Sequence, residues 1–455
     1  MSFSTVAITT ANTGIDHADN ITPGSLEAAN QLLQHNHDKW HVMWDTVKAG
    51  GLHNHQVHYL LTDLALGASP EQIKIAFESN KGYQREIDAG DEKSKHVITS
   101  ENFEEYLARY EYYAPWLDFF QNEINQKGWQ AVLGEYLFDE TPRANDLLGR
   151  MFEGAIHPII HLGFGVEFAQ PAIIAEALAQ AAIHRSQATS YLLRTQELAS
   201  NHPAWTREKR LMDIFTAVRS NPFIKDAPVF APGSWDRMGN FFPDLPQPLV
   251  EVAASYTLDR SMGEDEVQLR TAEMIDVITW MASACQNPAK AAKFDFFLMH
   301  SVNCSIFLSV FARLDFLDEH TKFRLLEFKV RMGLVMYATQ GFPELLTDEI
   351  TTYKPRRGDQ CMNWTEVIER AKNMPCDGHV VKFIRALHHG SIVCRPYEDS
   401  KDETIASKFP IKGTEMWLKI ANMVLDSTED YPGTYDKWMR GPGFDAAWDI
   451  VPDRK

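Results

Sequence analysis

Most of the chain repeats its apolar residues at the spacing of an α-helix, and this periodicity limits the possible folds more than any other feature. Leu26, Ala29 and Leu33 fall on one face of a helix. Ser69 is a helix N-cap, because a proline follows it and Gln72 stands three residues later. Alternating strand patterns between hairpin turns are hard to find. The sequence therefore predicts an all-α fold. The same helical pattern covers residues 101–126, 171–199, 204–219, 264–286, 289–314, 318–340, 364–373 and 414–427.

A proline-rich stretch at 222–248 interrupts this pattern and predicts an extended connector or lid. It contains four aromatic residues: Phe230, Trp235, Phe241 and Phe242. Because these are too apolar for a solvated linker, we expect the stretch to cover the core or a pocket mouth, as a strap or a lid. We nevertheless predict one helical domain over 1–455, since the candidate site residues described below lie on both sides of the connector.

Composition excludes several classes of protein. The formal net charge of −18 argues against nucleic-acid binding, which requires clustered Lys and Arg, and against an anchor on an anionic membrane surface. The five cysteines form no CxxC pair, so neither a zinc ribbon nor a thioredoxin-like motif is present. No secretory signal and no apolar run of about 20 residues is found. We expect a cytoplasmic protein, and its oligomeric state stays open.

Histidines recur in four separate segments, each within an apolar, helix-patterned stretch. Burying an imidazole costs free energy unless both ring nitrogens find partners. Convergence on one metal ion explains four such groups on separate helices, because neutral imidazole is the commonest protein ligand for transition metals. The segments are 54–58, 157–161, 296–300 and 379–382.

Two of these segments each contain two candidate ligands. His55 and His58 are three residues apart and would share one face of a helix. His157 and His161 have i, i+4 spacing, but Pro158 disfavours helical angles at His157, which we expect at or near an N-cap. Gly163 and Gly165 allow close backbone approach, which serves either helix packing or the binding of a flat ligand. A structural core histidine is the alternative for each candidate, and also for His300.

The last segment pairs His379 with Lys382, three residues later. A buried ammonium would be costly and would repel a metal ion. A deprotonated lysine condenses with CO2 to a carbamate, which is a carboxylate-like ligand. The alternative is a surface lysine whose stem lies along apolar surface.

The motifs N-H-x-x-H, H-P-x-I-H-L-G-F-G, F-F-L-M-H and D-G-H-V-x-K-x-x-R-A-L, in this order, resemble those of the questin oxidase-like family. This family comprises fungal oxidoreductases of anthraquinone and aflatoxin-type pathways, described as Baeyer-Villiger oxidases. The resemblance covers essentially the whole chain. It implies cleavage of an anthraquinone ring in questin-like substrates to a benzophenone, and non-haem iron held by four histidines and a carbamylated lysine. Carried over by motif, the ligands are His55, His157, His300, His379 and Lys382, with His58 and His161 competing for the first two positions.

The leading hypothesis is an Fe(II)-dependent mono- or dioxygenase that uses O2 on a flat, polycyclic phenolic substrate. Tyr59 or Arg385 is a candidate to bind a substrate phenolate, and a structural salt bridge is the alternative for Arg385. One rival is an NADPH-linked or cofactor-free Baeyer-Villiger-type monooxygenase with histidines as general bases. Another is a non-catalytic helical binding protein. No GxGxxG fingerprint occurs, which argues against a flavin enzyme, and NADPH as a reductant would need an unusual site.

Overall fold

The protein is built from α-helices, and the predicted all-α fold is confirmed. The computed structural model describes residues 4–44, 51–87, 92–202, 209–225, 237–261, 263–431 and 435–454. Strands β1 (Met43–Trp44) and β2 (Leu52–His53) pair in an antiparallel sheet of two residues each. No helix in this described part of the chain is long and apolar enough to cross a membrane.

The chain divides into two compact units. The first comprises residues 1–193 with 234–243, and the second comprises 194–233 with 244–455. The single domain over 1–455 stays a prediction. Short 3-10 helices lie at Glu92–Lys95, Phe103–Tyr106, Tyr110–Tyr112, Phe242–Asp244, Asp359–Cys361, Tyr435–Lys437 and Asp445–Trp448, and a π-helical turn lies at Gly134–Phe138.

Helix α8 is the central helix of the first unit, since every residue from 172 to 183 is buried. Helices α4 (Tyr113–Lys127) and α7 (Glu153–Glu167) pack against it. Gly165 of α7 permits the close approach, because a Cβ there would lie 2.8 Å from the backbone nitrogen of Ile174. The helices are α1 Ser25–Lys39, α2 Gln56–Ala65, α3 Pro70–Lys81, α4 Tyr113–Lys127, α5 Trp129–Leu133, α6 Pro142–Arg150, α7 Glu153–Glu167, α8 Pro171–Ile183, α12 Arg237–Phe241 and the first part of α9 Gln187–Asn201.

Helix α15 has the corresponding position in the second unit. Its residues 297–312 are all buried, and helices α14, α16 and α19 pack around it. The helices are α10 Leu211–Ser220, α11 Pro222–Lys225, α13 Gln247–Ala254, α14 Gly263–Ala284, α15 Phe296–Ala312, α16 Glu319–Thr339, α17 Thr347–Thr351, α18 Trp364–Lys372, α19 His379–Val393, α20 Arg395–Glu398, α21 Glu403–Ala406 and α22 Gly413–Thr428.

Local capping explains where the helices begin and end. The predicted start at Ser69 is confirmed, because its hydroxyl accepts the Gln72 N–H while the Gln72 side chain accepts the Ser69 N–H. The pattern predicted over 289–314 becomes helical only at α15, since the Asp295 carboxylate accepts the first two free N–H groups. The pattern predicted over 171–199 breaks at residues 184–186 into α8 and α9.

The described parts of the stretch 222–248 are not extended, in contrast to the prediction. They form α11, α12, a 3-10 turn and the start of α13, because Pro222 and Pro248 occupy first-turn positions at which proline is favourable. Phe241 is buried and Phe242 half-buried, whereas Phe230 and Trp235 lie outside the described residues. A role as strap or lid stays a prediction.

Candidate metal centre

In the first unit, His55 and His157 direct their Nε2 atoms at each other across 2.9 Å. Both side chains are buried. His55 is the N-cap residue of α2, where the Asn54 side chain accepts the N–H of Gln56. The pair therefore joins the start of one helix to a residue of another helix, 102 positions later.

A kink in α7 sets the position of His157. Gly154, Ala155 and Ile156 have left-handed backbone angles, and the regular helix resumes at His157. This confirms the expectation that His157 lies near a helix start. A side chain at position 154 is excluded as well, because a Cβ there would overlap His184 Cε1 and lie 2.9 Å from His53 Cε1.

The hydrogen bond of the other ring nitrogen fixes the tautomer of His157. Its Nδ1 lies 2.6 Å from the carbonyl oxygen of Gly154, and a carbonyl only accepts. Nδ1 therefore carries the proton, and the lone pair of Nε2 faces His55. This is the arrangement typical of a ligating histidine, whose second N–H is held by a carbonyl or carboxylate.

A second imidazole pair, His53 and His184, packs against the pair of His55 and His157. The His53 ring stacks on His157 with centroids 3.9 Å apart and planes within 6°. His53 Nε2 lies 2.9 Å from His184 Nε2. Burial, together with the charges of Arg150 and Arg185, lowers the pKa of His184 to about 3. The ring of His157 is thus held by a buried pair of imidazoles, of which His184 is neutral near pH 7.

The two competing histidines have other surroundings. His161 Nε2 lies 2.7 Å from a carboxylate oxygen of Glu176, whose other oxygen bonds His37 Nδ1 at 2.6 Å. Burial raises the pKa of Glu176, but the hydrogen bonds of the two histidines outweigh it and lower this pKa to about 2. His58 lies inside α2 and stacks on Phe164, with centroids 5.2 Å apart. The Nε2 of His161 is therefore occupied by a carboxylate.

The second unit contains a matching pair. His300 Nε2 and His379 Nε2 lie 3.0 Å apart, and both side chains are buried. His300 Nδ1 lies 2.6 Å from the carbonyl of Phe296, and His379 Nδ1 lies 2.7 Å from a carboxylate oxygen of Asp377. As in His157, the Nδ1 of His300 carries the proton, and its Nε2 lone pair faces the partner imidazole.

These distances fit the donor set of a metal ion. Two Nε2 lone pairs at 3.0 Å repel each other unless a proton or a cation lies between them. Burial lowers the pKa of His379, although the neighbouring Asp377 carboxylate acts in the opposite direction. The lowered pKa favours the neutral imidazole. Two nitrogens bound at about 2.1 Å and at right angles to one metal ion stand about 3.0 Å apart. Each unit thus presents a pair with the spacing of adjacent metal ligands.

Lys382 lies one turn after His379 on α19 and is 4% exposed, so it is not a surface lysine. Burial lowers its pKa to about 8, although the charge of Asp377 acts in the opposite direction. A lower pKa increases the fraction of neutral amine near neutral pH, and carbamate formation requires that form. The carbamate itself stays a prediction.

The candidates for substrate binding are both buried. Tyr59 lies in α2 at 4% exposure, and Arg385 lies one turn beyond Lys382 in α19 at 2% exposure. Their predicted contact with a phenolate remains a prediction.

Residues around the pairs were harder to find in the sequence. His53 is two positions before His55, so its proximity was visible, but its stacking on His157 was not. Glu176 is the one charged residue in α8, and a carboxylate in so apolar a helix indicates a buried partner. Asp377 stands two positions before His379, so its proximity to that residue was visible in the sequence, but its ion pair with the ring was not.

Comparison with known proteins agrees with these motifs. The sequence profile of the family described as questin oxidase-like matches residues 52–387. The chain is 38% identical over 450 residues to a Baeyer-Villiger monooxygenase of Aspergillus aculeatus, covering 96% of this chain and 92% of the relative. It is 38% identical over 445 residues to the questin oxidase of Aspergillus fumigatus, covering 96% and 97%. A Baeyer-Villiger oxidase of Pestalotiopsis fici is 39% identical over 440 residues, covering 94% of each chain. The chain belongs to the questin oxidase-like family.

Proposed function

We propose that this chain is a non-haem iron oxygenase that opens a ring of an anthraquinone-type polyketide in fungal secondary metabolism. The predicted oxidoreductase class is confirmed by relatives named as oxidases and monooxygenases. Questin oxidase, at 38% identity, supports an anthraquinone as the substrate class. The buried histidine pairs support the metal.

The ligands we propose are His55, His157, His300, His379 and Lys382. The observation that carries this assignment is the Nε2 spacing of 2.9 Å in one pair and 3.0 Å in the other. Iron accepts imidazole and carboxylate-type ligands together. When bound, Fe(II) supplies the one-electron chemistry that the reaction of O2 with an organic substrate requires.

The surrounding residues hold the imidazoles in the ligating tautomer. The carbonyls of Gly154 and Phe296 accept the Nδ1–H of His157 and of His300, which leaves the Nε2 lone pair of each ring directed at its partner imidazole. The Asp377 carboxylate lies 2.7 Å from His379 Nδ1. Partners of this kind increase the basicity of a ligating imidazole and fix its ring plane.

For Lys382 we propose a carbamate. The ammonium first loses a proton, the neutral amine then attacks CO2 to form a C–N bond, and a second proton leaves, so the side chain changes from a cation to an anion. The lowered pKa of Lys382 favours the neutral amine that starts this reaction. A carboxylate-like oxygen then complements the imidazole nitrogens.

Tyr59 and Arg385 are the groups that we propose to orient a phenolic substrate. Arg385 lies on the same helix as His379 and Lys382, and its permanent positive charge suits a phenolate. NADPH is the candidate external reductant.

The test compares metal content and turnover in matched variants. The purified chain should contain iron in stoichiometric amount and should consume O2 with an anthraquinone such as questin. His300→Ala and His379→Ala should each lose iron and turnover. The matched control is His388→Ala, a half-buried histidine on α19 that packs on Trp364, with ring centroids 5.0 Å apart.

The rival hypotheses give different results. A cofactor-free enzyme would turn over without iron, and the histidine variants would then change its pH profile. A non-catalytic protein would show no turnover, and the variants would lower thermal stability alone. Iron retained in both His300→Ala and His379→Ala would reject the proposal.

A further inference from the structure

A second group of potential ligands lies in the second unit, away from the histidines. Asp276 is in the middle of α14, Cys394 follows the end of α19, and Glu398 ends α20. All three side chains are buried, and one ligand atom from each lies within 4.8 Å of the other two. Cys394 is 15 residues beyond His379, which is about 22 Å along a helix axis. The group is therefore distinct from the histidine pair on the same helix.

Backbone and indole N–H groups orient both carboxylates. Asp276 Oδ1 accepts the N–H of Ile411 at 3.1 Å. Glu398 accepts the indole N–H of Trp417 at 2.8 Å on one oxygen and the N–H of Gly413 at 2.8 Å on the other. Three donors directed at two carboxyl groups favour the ionised, accepting form of those groups.

One ligand position in the group is left without a partner. Asp276 is 0% exposed, and its Oδ2 atom has no hydrogen-bond partner. The Cys394 thiol lies 3.3 Å from the carbonyl of Ala272, one turn before Asp276 on α14.

The charge of the group is also unbalanced. Burial raises the pKa of all three acidic groups, because their ionised forms are unfavourable in a buried site without a cation. The positive charges of Lys412 and Arg395 act on Asp276 and Glu398 and lower their pKa values, but burial outweighs them. A divalent cation would satisfy the unpartnered oxygen and balance the charge together.

We propose that Asp276, Cys394 and Glu398 bind a structural Zn²⁺ ion. One thiolate and two carboxylates are a donor set that zinc accepts in tetrahedral geometry. Tetrahedral zinc ligands stand about 3.6 Å apart for sulfur and oxygen and about 3.4 Å apart for two oxygens, so the three donors move closer by at most about 1.4 Å. Binding releases the thiol proton and any proton on the carboxyl groups. The ion links α14, the end of α19 and α20.

The test uses Co²⁺ as a spectroscopic probe of the zinc site in the full chain. Co²⁺ added to the metal-free protein should give the thiolate-to-cobalt charge-transfer absorption that histidine and oxygen ligands do not produce. Cys394→Ser and Asp276→Asn should lose this absorption, while retaining iron at the histidines. The matched control is Cys285→Ser, a buried cysteine whose thiol donates to the Met281 carbonyl at 2.8 Å and which should keep the absorption.

Stability gives an independent measurement. Zn²⁺ should raise the thermal midpoint of the wild-type chain and of Cys285→Ser, and it should not raise that of Asp276→Asn. No thiolate absorption in the wild-type chain overturns the proposal, whether or not the variants fold. An Asp276→Asn variant that is more stable than wild type in the presence of Zn²⁺ also overturns it, because a neutral amide would then suit this position better than a metal ligand.

Discussion

Gly154→Ala should destabilise the first unit and reduce iron binding through His157. Position 154 has φ of 53°, and a left-handed angle costs a residue with a Cβ about 1–2 kcal/mol. The new Cβ would also overlap His184 Cε1 and lie 2.9 Å from His53 Cε1, and such overpacking costs about 1–3 kcal/mol. The sum is roughly 2–5 kcal/mol.

The consequence for the site follows from the Gly154 carbonyl. This oxygen accepts the Nδ1–H of His157 at 2.6 Å, so a shift of the backbone at 154 rotates the imidazole that it holds. We expect iron per folded chain to fall, as measured by metal analysis after gel filtration, together with the midpoint of urea unfolding. The control is Gly134→Ala, where a Cβ meets no atom within 4 Å. Wild-type stability and full iron content in Gly154→Ala would refute the reasoning.

Three further predictions concern single side chains. His157→Ala should lose iron whereas His161→Ala should keep most of it, since Glu176 occupies the His161 Nε2; metal analysis that gives the reverse result would exchange the two roles. Lys382→Glu should retain part of the iron and Lys382→Met should lose it, while removal of CO2 during reconstitution should lower activity and bicarbonate should restore it; full activity of Lys382→Met would exclude the carbamate. The pKa of Glu176 is lowered to about 2, so its ionised form stabilises the fold at pH values above the pKa of an unfolded glutamate, and this stabilisation is lost as the pH falls towards 2. In Glu176→Gln, the free energy of unfolding in urea should therefore depend less on pH on the acid side, and an unchanged dependence would contradict this.

The helical class and most helices were predictable because they rest on local signals. Apolar periodicity indicated α14, α16 and α18 within two residues of their observed ends. The capping box at Ser69 was equally local.

The kink in α7 was not predictable in the same way. Ala155 and Ile156 have no intrinsic preference for left-handed angles, so tertiary packing around His184 and His53 imposes them. Pro158 indicated a break in the helix near His157, but it did not indicate how many residues leave the helical conformation or that their backbone angles are left-handed.

In the candidate site, too, local sequence signals identified the residues, whereas their contacts depend on the folded chain. Residue type and spacing identified His55, His157, His300 and His379, since imidazoles in apolar helices require partners. Which nitrogen faces inward depends on acceptors that fold back on each ring, such as Phe296 on the preceding turn, and these contacts exist only in the folded chain.

Iron K-edge X-ray absorption of the purified, iron-loaded chain tests the central claim most directly. We predict a shell of nitrogen and oxygen ligands with the multiple scattering of four imidazoles, and no sulfur ligand. Loss of the iron absorption edge from His157→Ala and from His300→Ala, loaded in the same way, would support ligands from both pairs. An iron spectrum that is identical in wild type and in both variants, or a chain that turns over its substrate without iron, would contradict the account.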